Sequence, residues 1–340
     1  MLRIAINGFG RIGRCLVRAL HERGLENTLQ LVAINDPVPV DMLAHLLRHD
    51  TTHGRFAVPV VEEGDLLHIG NAPPVRCLGE TDPANLPWKA LKVDLVLECS
   101  GRLKDAAKLA THRQAGASRV LASYPVGDAD AMVVYGVNHA SLTRQHHLIS
   151  NASCTTNCLA PLVKVLDDQF GLVSGQMTTI HAYTNDQNLI DKAHGDLYRA
   201  RAAAVNMIPT RTGAAGAVGK VLPHLEGRLD GMAVRVPVLN VSLVDLHCLL
   251  ARRVSVEDVN NALRAAAEGP LQGILAVNDA PLVSSDFNHD PHSSIADLSQ
   301  TRVLGDQVKV LAWYDNEWGF TQRMLDVALH LATLDLAPPG

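Results

Sequence analysis

Hydrophobic and polar positions follow two different rhythms along this chain, and the change falls near residue 151. In the first part, short apolar runs take turns with stretches whose apolar residues recur at helical spacing. Leu2–Asn7 reads as a buried strand, Gly8 to Gly13 as a turn, and Ile12–His21 as a helix with Cys15, Leu16, Ala19 and Leu20 on its apolar side. Leu29–Asn35 reads as a second strand and Asp94–Cys99 as a third. A helical stretch around Lys104–Ala115 and a further strand, Arg119–Ser123, follow. Strands alternating with helices of this length imply a parallel, doubly wound sheet. Beyond residue 151 the strands lengthen, at Thr178–Ala182, Gly231–Pro237 and Asn240–Leu250. The first two are separated by an irregular segment, Asn185–Thr212, rich in Arg, Asp and His. Loops that long are uncommon and usually functional or disordered. Gln322–Leu334 reads as a terminal helix, and there is no internal repeat or low-complexity tract.

Length changes this picture in one respect: 340 residues exceed what one core usually organises, so two domains are expected. Composition, at 47% hydrophobic and 19% charged, is that of a soluble globular protein. A formal net charge of -5 leaves no electrostatic footprint for DNA or an anionic membrane, so any affinity for phosphate must be local. No apolar run is long enough to span a bilayer, and Leu2 to Ile6, interrupted by Arg3, is too short for a signal sequence. The expected address is the cytoplasm. The 6 cysteines are too sparse for a disulfide scaffold and are expected to be free thiols.

Two motifs carry candidate chemistry. Gly8-Phe9-Gly10-Arg11-Ile12-Gly13 is a G-x-G-x-x-G between a strand and a helix, and Asp36 closes the next strand ~20 residues on, where a ribose-binding acid belongs. The glycines serve a tight turn, close approach to a pyrophosphate and close helix packing, while the helix aims its first amides at the phosphates. The competing reading is a structural turn with Asp36 as a loop cap. A carboxylate at Asp36 would accept from ribose hydroxyls and repel a 2′-phosphate, which favours NAD and leaves NADP as the poorer cofactor. The second motif is Ser150 to Cys158 (SNASCTTNC), joining strand His147–Ser150 to an apolar helix. Cys154 falls at that helix's N-terminus, where dipole and amides are expected to lower a thiol pKa and to stabilise an oxyanion. Cys158, one turn on, reads as a packed core thiol. A thiolate nucleophile wants a base, and His181 ends a strand, although among 16 histidines a structural role is the default for any one of them.

The segments INGFGRIGR (Ile6–Arg14), SNASCTTNCLAP (Ser150–Pro161), HAYTNDQ from His181, IPTRTGAAGAVGK (Ile208–Lys220), AVRVP (Ala233–Pro237) and WYDNEWG (Trp313–Gly319) resemble the glyceraldehyde-3-phosphate dehydrogenase family, in its order and spacing. The resemblance runs from about residue 2 to 333. It implies an α/β fold: a Rossmann NAD-binding domain over residues 1–153 with 316–340, and an α+β catalytic domain with a mixed or antiparallel sheet over 154–315. It further implies that Cys154 attacks an aldehyde to form a thiohemiacetal, that His181 takes the proton, that hydride passes to NAD, and that inorganic phosphate releases the thioester as an acyl phosphate. The cofactor set it implies is Gly8, Phe9, Gly10, Arg11, Ile12, Asp36, Ser100, Gly101, Ser123 and Asn316, the last bonding the nicotinamide carboxamide. Thr184 and Arg235 match a substrate-phosphate site. Ser153, Thr212 and Gly213 match a second site for inorganic phosphate, with Arg199 at its rim and Thr155 among the substrate residues. Segment Asn185–Thr212 corresponds to a loop lining a neighbouring subunit's cofactor site, which implies a homotetramer.

Some positions depart from the family. Lys192-Ala193 stands where NAD-specific members often carry Leu-Pro, which would soften the bias against NADP. Ser123-Tyr124-Pro125 and Asp286–His292 resemble a sister family, erythrose-4-phosphate dehydrogenase, the alternative enzymatic reading. Asn288–His292 has the look of a metal cluster but fits a polar loop as well, and no metal is expected. A non-catalytic cofactor-sensing or RNA-binding protein on the same fold is the alternative of another class. Cys154, His181, Asn316 and Arg235 together argue against it.

Overall fold

The computed structural model describes residues 1–336. The chain divides into two compact units, one of Met1–Val133, His139–Ala152 and the residues from Thr321 on, the other of Val134–Asn138 and Ser153–Phe320.

In chain order the first unit holds β1 (Leu2–Asn7), α1 (Arg11–Glu22), β2 (Leu29–Asn35), α2 (Val40–Arg48), β3 (His49–Asp50), β4 (Gly54–Arg55), β5 (Val60–Glu63), β6 (Leu66–Ile69), β7 (Val75–Leu78), α3 (Trp88–Leu91), β8 (Leu95–Glu98), α4 (Ala106–Gln114), β9 (Arg119–Ala122), β10 (Ala131–Met132) and β11 (Leu148–Ser150). Nine of these strands form one sheet in the order β10-β11-β9-β8-β1-β2-β7-β6-β5. β1 pairs in parallel with both β2 and β8. Its apolar side chains are buried almost without break, as a parallel strand covered on both faces requires. Sequential strands therefore depart in opposite directions from β1, and the point where they do so is where open α/β sheets bind ligands. The chain pattern did not foretell the β5–β6–β7 meander, whose antiparallel strands of four residues finish one edge. At the C-terminal ends of the central strands a buried polar chain runs from Trp88 Nε1 to His112 Nδ1 (2.9 Å) and from His112 Nε2 to Glu98 (2.9 Å). Asn7 Nδ2 donates to the same carboxylate, and so does the Tyr124 hydroxyl (3.3 Å).

The second unit holds α5 (Cys154–Phe170), β12 (Leu172–Ala182), β13 (Ile208–Arg211), α6 (Ala214–Val221), β14 (Leu229–Val236), β15 (Ser242–Leu250), α7 (Val256–Glu268), β16 (Leu275–Asn278), β17 (Ser294–Leu304) and β18 (Gln307–Tyr314). A terminal helix, α8 (Trp318–Leu336), begins here and passes into the first unit at Thr321. Seven strands form a mixed sheet, β13-β14-β12-β15-β18-β17-β16, with β12–β14 parallel and β12–β15 and β15–β18 antiparallel. Two sequence expectations need adjustment. β12 starts at Leu172, earlier than the apolar run suggested, because Val173, Ser174 and Gln176 face solvent and interrupt it. Segment 185–212 is not irregular throughout: its end forms β13, an edge strand whose Pro209 and Arg211 are exposed and hide the alternation.

Candidate active site

Cys154 is the first residue of α5. Ser153 caps that helix in extended conformation, its hydroxyl accepting from the Thr156 amide at 3.0 Å. The thiol is partly exposed, whereas Cys158 is fully buried with its sulfur 3.5 Å from Ser294 Oγ. All 6 cysteines are free thiols. His181 is the last residue but one of β12, where the register sets it directly opposite Arg235 on β14. Its Nε2 lies 3.5 Å from Cys154 Sγ. On the other side of the ring, Nδ1 is 2.6 Å from the Ala182 carbonyl oxygen and 2.8 Å from Arg235 Nη1. Arg235 Nη1 also donates to that carbonyl at 3.0 Å. A carbonyl oxygen can only accept, so the 2.6 Å contact puts the ring's single proton on Nδ1. Arg235 Nη1 then donates to the Ala182 carbonyl and not to the ring, and Nε2 is left as an acceptor aimed at the thiol.

Burial and the adjacent Arg235 guanidinium hold His181 far below the ordinary imidazole range, at about 3. The ring is therefore a neutral base throughout the neutral range. At Cys154 burial pushes the thiol up, while Arg235 and the amide and hydroxyl of Thr155 pull it down. The net direction is upward, which corrects the expectation that a helix N-terminus would lower it: desolvation outweighs the amides. Burial pushes the structural thiols Cys158 and Cys248 up to about 12.

Arg235 pairs with no carboxylate among the described residues, and its Nε is buried without a hydrogen-bond partner. A half-buried guanidinium in that condition is suited to pair with an anion. Thr184 lies two residues past β12, its amide donating to Gln187 Oε1 at 3.0 Å. A hydrogen bond from Thr156 Oγ1 to the Ala214 carbonyl (3.4 Å) brings the start of α5, with Ser153, to the start of α6, with Thr212 and Gly213. Arg199 is held by Asp186, with Nε on Thr210 Oγ1 at 2.9 Å. The Thr155 hydroxyl bonds Tyr314 OH at 2.8 Å, and Tyr314 also meets Thr179 Oγ1 at 2.7 Å. Tyr314, Gln187 and Asp186 went unnoticed in the sequence. Tyr314 at least had a signal, as an inward position of alternating β18 inside the WYDNEWG motif.

Asn316 follows β18, and its Oδ1 accepts from Ser242 Oγ at 2.8 Å. Its loop is pinned by buried Asp315, which accepts from the amides of Glu317, Trp318 and His289 and from Asn240 Nδ2. The His289 ring stacks on Trp318 at 3.7 Å. The two features shared with the sister family, Tyr124 and His289, are thus occupied with Glu98 and with Trp318 and Asp315.

In the first unit, β1 ends at a cleft of about 380 Å³ lined by Gly8, Gly10, Asp36 and Ser100 among others. Gly8 has φ +92, and a Cβ there would sit 2.5 Å from the Ser100 amide nitrogen. A Cβ on Gly13 would lie 2.4 Å from the Gly8 carbonyl oxygen, whereas Gly10, which caps α1, has open space in that direction. The Asp36 carboxylate accepts from the Phe9 amide at 2.8 Å and the Val38 amide at 3.2 Å, which leaves lone pairs for hydroxyl donors. Ser100 is fastened to Glu98 through both amide and hydroxyl. Gly101 follows at φ +67, and the Ser123 amide bonds the Glu98 carbonyl at 2.9 Å. The Arg11 side chain is committed to Asp50, so Arg11 and Ile12 can serve an anion only through the amides that open α1.

A glycine-turn dinucleotide cleft in one unit and a thiol–imidazole–guanidinium cluster in the other define an NAD-dependent oxidoreductase that works through a cysteine. Family profiles agree. Residues 2–106 match "Glyceraldehyde 3-phosphate dehydrogenase, NAD binding domain" and residues 153–316 match "Glyceraldehyde 3-phosphate dehydrogenase, C-terminal domain". The chain is 56% identical over 332 residues to the chromosomal glyceraldehyde-3-phosphate dehydrogenase of Cupriavidus necator, covering 97% of this chain and 98% of that one. It is equally similar, with the same coverage, to the enzyme of that name from Pseudomonas aeruginosa, and 52% identical over 330 residues to that of Mycolicibacterium smegmatis, covering 96% and 97%. The chain belongs to the glyceraldehyde-3-phosphate dehydrogenase family, and its cofactor is NAD.

Proposed function

We propose that the chain oxidises glyceraldehyde 3-phosphate to an acyl phosphate, with Cys154 as nucleophile and His181 as base. The observation that carries this reading is the half-buried Arg235, its Nε buried without a partner, beside a thiol and a neutral imidazole. The Cys154 sulfur bonds the aldehyde carbon, and the developing alkoxide takes up the thiol proton. His181 Nε2 then removes the hydroxyl proton as the carbon's hydride leaves, so that a thioester remains. NAD, when bound, accepts that hydride. A phosphate oxygen next attacks the thioester carbonyl, the carbon–sulfur bond breaks, and the thiolate is reprotonated. The amides opening α5 are suited to hold the oxyanion in both additions. Arg235 and Thr184 hold the substrate phosphate, while Ser153, Thr212 and Gly213 at the joined helix starts hold the attacking one, with Arg199 at the rim. Gly8, Phe9, Gly10, Arg11 and Ile12 seat the pyrophosphate. Asp36 takes the ribose, Ser100, Gly101 and Ser123 complete the cofactor cleft, and Asn316 orients the carboxamide.

Comparing kcat/KM for glyceraldehyde 3-phosphate and erythrose 4-phosphate tests the substrate. The three-carbon aldehyde should be preferred. A preference for the four-carbon aldehyde with water as thioester acceptor would instead favour the sister activity.

The working form is a homotetramer. Leu189, Ile190, Leu197, Tyr198, Val205 and Met207, all in segment 185–212, are exposed in the single chain, an apolar surface suited to a second copy. Among the described residues no helix is long and apolar enough to cross a membrane, and the cytoplasm is the location that fits this reading.

A further inference from the structure

We infer that Ser242 is a positioning residue that sets the polarity of the Asn316 amide, so that Asn316 meets the nicotinamide carboxamide as a hydrogen-bond donor through Nδ2. The inference rests on the reading of Asn316 given above and goes beyond it. An asparagine side chain offers a carbonyl oxygen and an NH2 group of nearly the same shape, and only its partners decide which faces a ligand. Here the partners form a directed chain. The Ala182 amide, which can only donate, gives its proton to Ser242 Oγ at 3.1 Å. Ser242 is 1% exposed, so its own hydroxyl proton must find a protein acceptor or go unsatisfied. The acceptor is the Asn316 atom at 2.8 Å, which must therefore be the oxygen. Nδ2 is left facing away from Ser242 with no partner among the described residues.

The chain starts at the residue that also orients the base. The Ala182 carbonyl takes the His181 Nδ1 proton, and the Ala182 amide feeds Ser242. One residue at the end of β12 thus aims both the acceptor that receives the substrate proton and the donor offered to the cofactor. The two ends of the relay are fixed by pairing. Ser242 begins β15 opposite Tyr314, and Asp315 pins the loop that carries Asn316.

The test is equilibrium binding, read by titration calorimetry, of NAD and of its 3-acetylpyridine analogue. The analogue keeps the carbonyl that a donor needs and replaces the NH2 group with a methyl. Wild type, Ser242→Ala, Ser242→Thr and Asn316→Ala are compared through the ratio of the two dissociation constants. In Ser242→Ala the Asn316 amide is free to turn its oxygen toward the ligand, which the analogue cannot satisfy. The analogue should therefore lose about tenfold more affinity than NAD. Ser242→Thr, which keeps the hydroxyl, should restore the wild-type ratio. Should the alanine variant not fold, the isosteric Ser242→Cys, with its weak S–H donor, should move the ratio in the same direction by less. An unchanged ratio in the Ser242 variants, with Asn316→Ala weakening NAD, overturns the relay alone. Wild-type binding of both dinucleotides by Asn316→Ala overturns the role given to Asn316 itself.

Discussion

Arg235 does three jobs with one charge: it seeks an anion, depresses the His181 imidazole and draws the Cys154 thiol down against its burial. These effects can be separated with a neutral reagent. In Arg235→Met the pull on Cys154 is gone, so the thiolate forms at higher pH and the pH profile of iodoacetamide labelling should move upward, leaving a slower rate at pH 7. A profile that stays put or moves down would show that the guanidinium does not act on the sulfur. The same change should lower kcat/KM for the phosphorylated aldehyde by ~2–5 kcal/mol in transition-state terms, the scale of a lost buried charge pair. In the wild type, labelling should reach Cys154 well before Cys158 or Cys248, since both of those are buried and pushed up to about 12. Equal rates across the three thiols would remove Cys154 from the nucleophile's role. The nucleophile's place was readable in SNASCTTNC, yet the direction of its thiol was not. Dipole and amides are local to the helix, whereas the desolvation that outweighs them belongs to the folded site.

Elements bring these residues together, and here the chain pattern was informative unevenly. β1 and β2 could be read to the residue because strands buried on both faces are apolar without break. β12, β13 and the β5–β6–β7 meander were truncated or missed, because each puts a polar or proline face to solvent and its alternation is short. Tyr314 illustrates what no local pattern carries: its hydroxyl ties the start of α5 to β12 through Thr155 and Thr179. Tyr314→Phe leaves two buried threonine hydroxyls short of a partner and should cost ~1–3 kcal/mol in urea unfolding. A variant as stable as wild type would mean that water or a neighbour takes over. The glycine turn makes a sharper contrast. Gly8→Ala combines φ +92 with a Cβ 2.5 Å from a backbone atom and should destabilise the protein itself, whereas Gly10→Ala meets nothing within 4 Å. Gly10→Ala should therefore keep the wild-type melting temperature and lose NAD affinity. Unchanged affinity in calorimetry would show that the pyrophosphate does not approach Gly10.

At the scale of the whole molecule, the dinucleotide unit and the catalytic unit each had their own signature in the sequence, and both are matched by family profiles. The state of assembly has only indirect marks, in the exposed apolar side chains of segment 185–212. Light scattering after size exclusion should give about four times the 36.6 kDa chain mass, with Leu189→Asp and Leu197→Asp together shifting it to smaller species. A monomeric wild type would leave that surface unexplained. The claim on which everything else depends is that Cys154 carries the acyl group until phosphate takes it. It is tested most directly by following NADH formation from glyceraldehyde 3-phosphate in rapid mixing, with and without inorganic phosphate. Without phosphate, NADH should appear in a burst no larger than the concentration of Cys154 and then nearly stop. Added phosphate should restore continuous turnover, and Cys154→Ser should show neither phase. Steady NADH production at the same rate with and without phosphate would contradict the account.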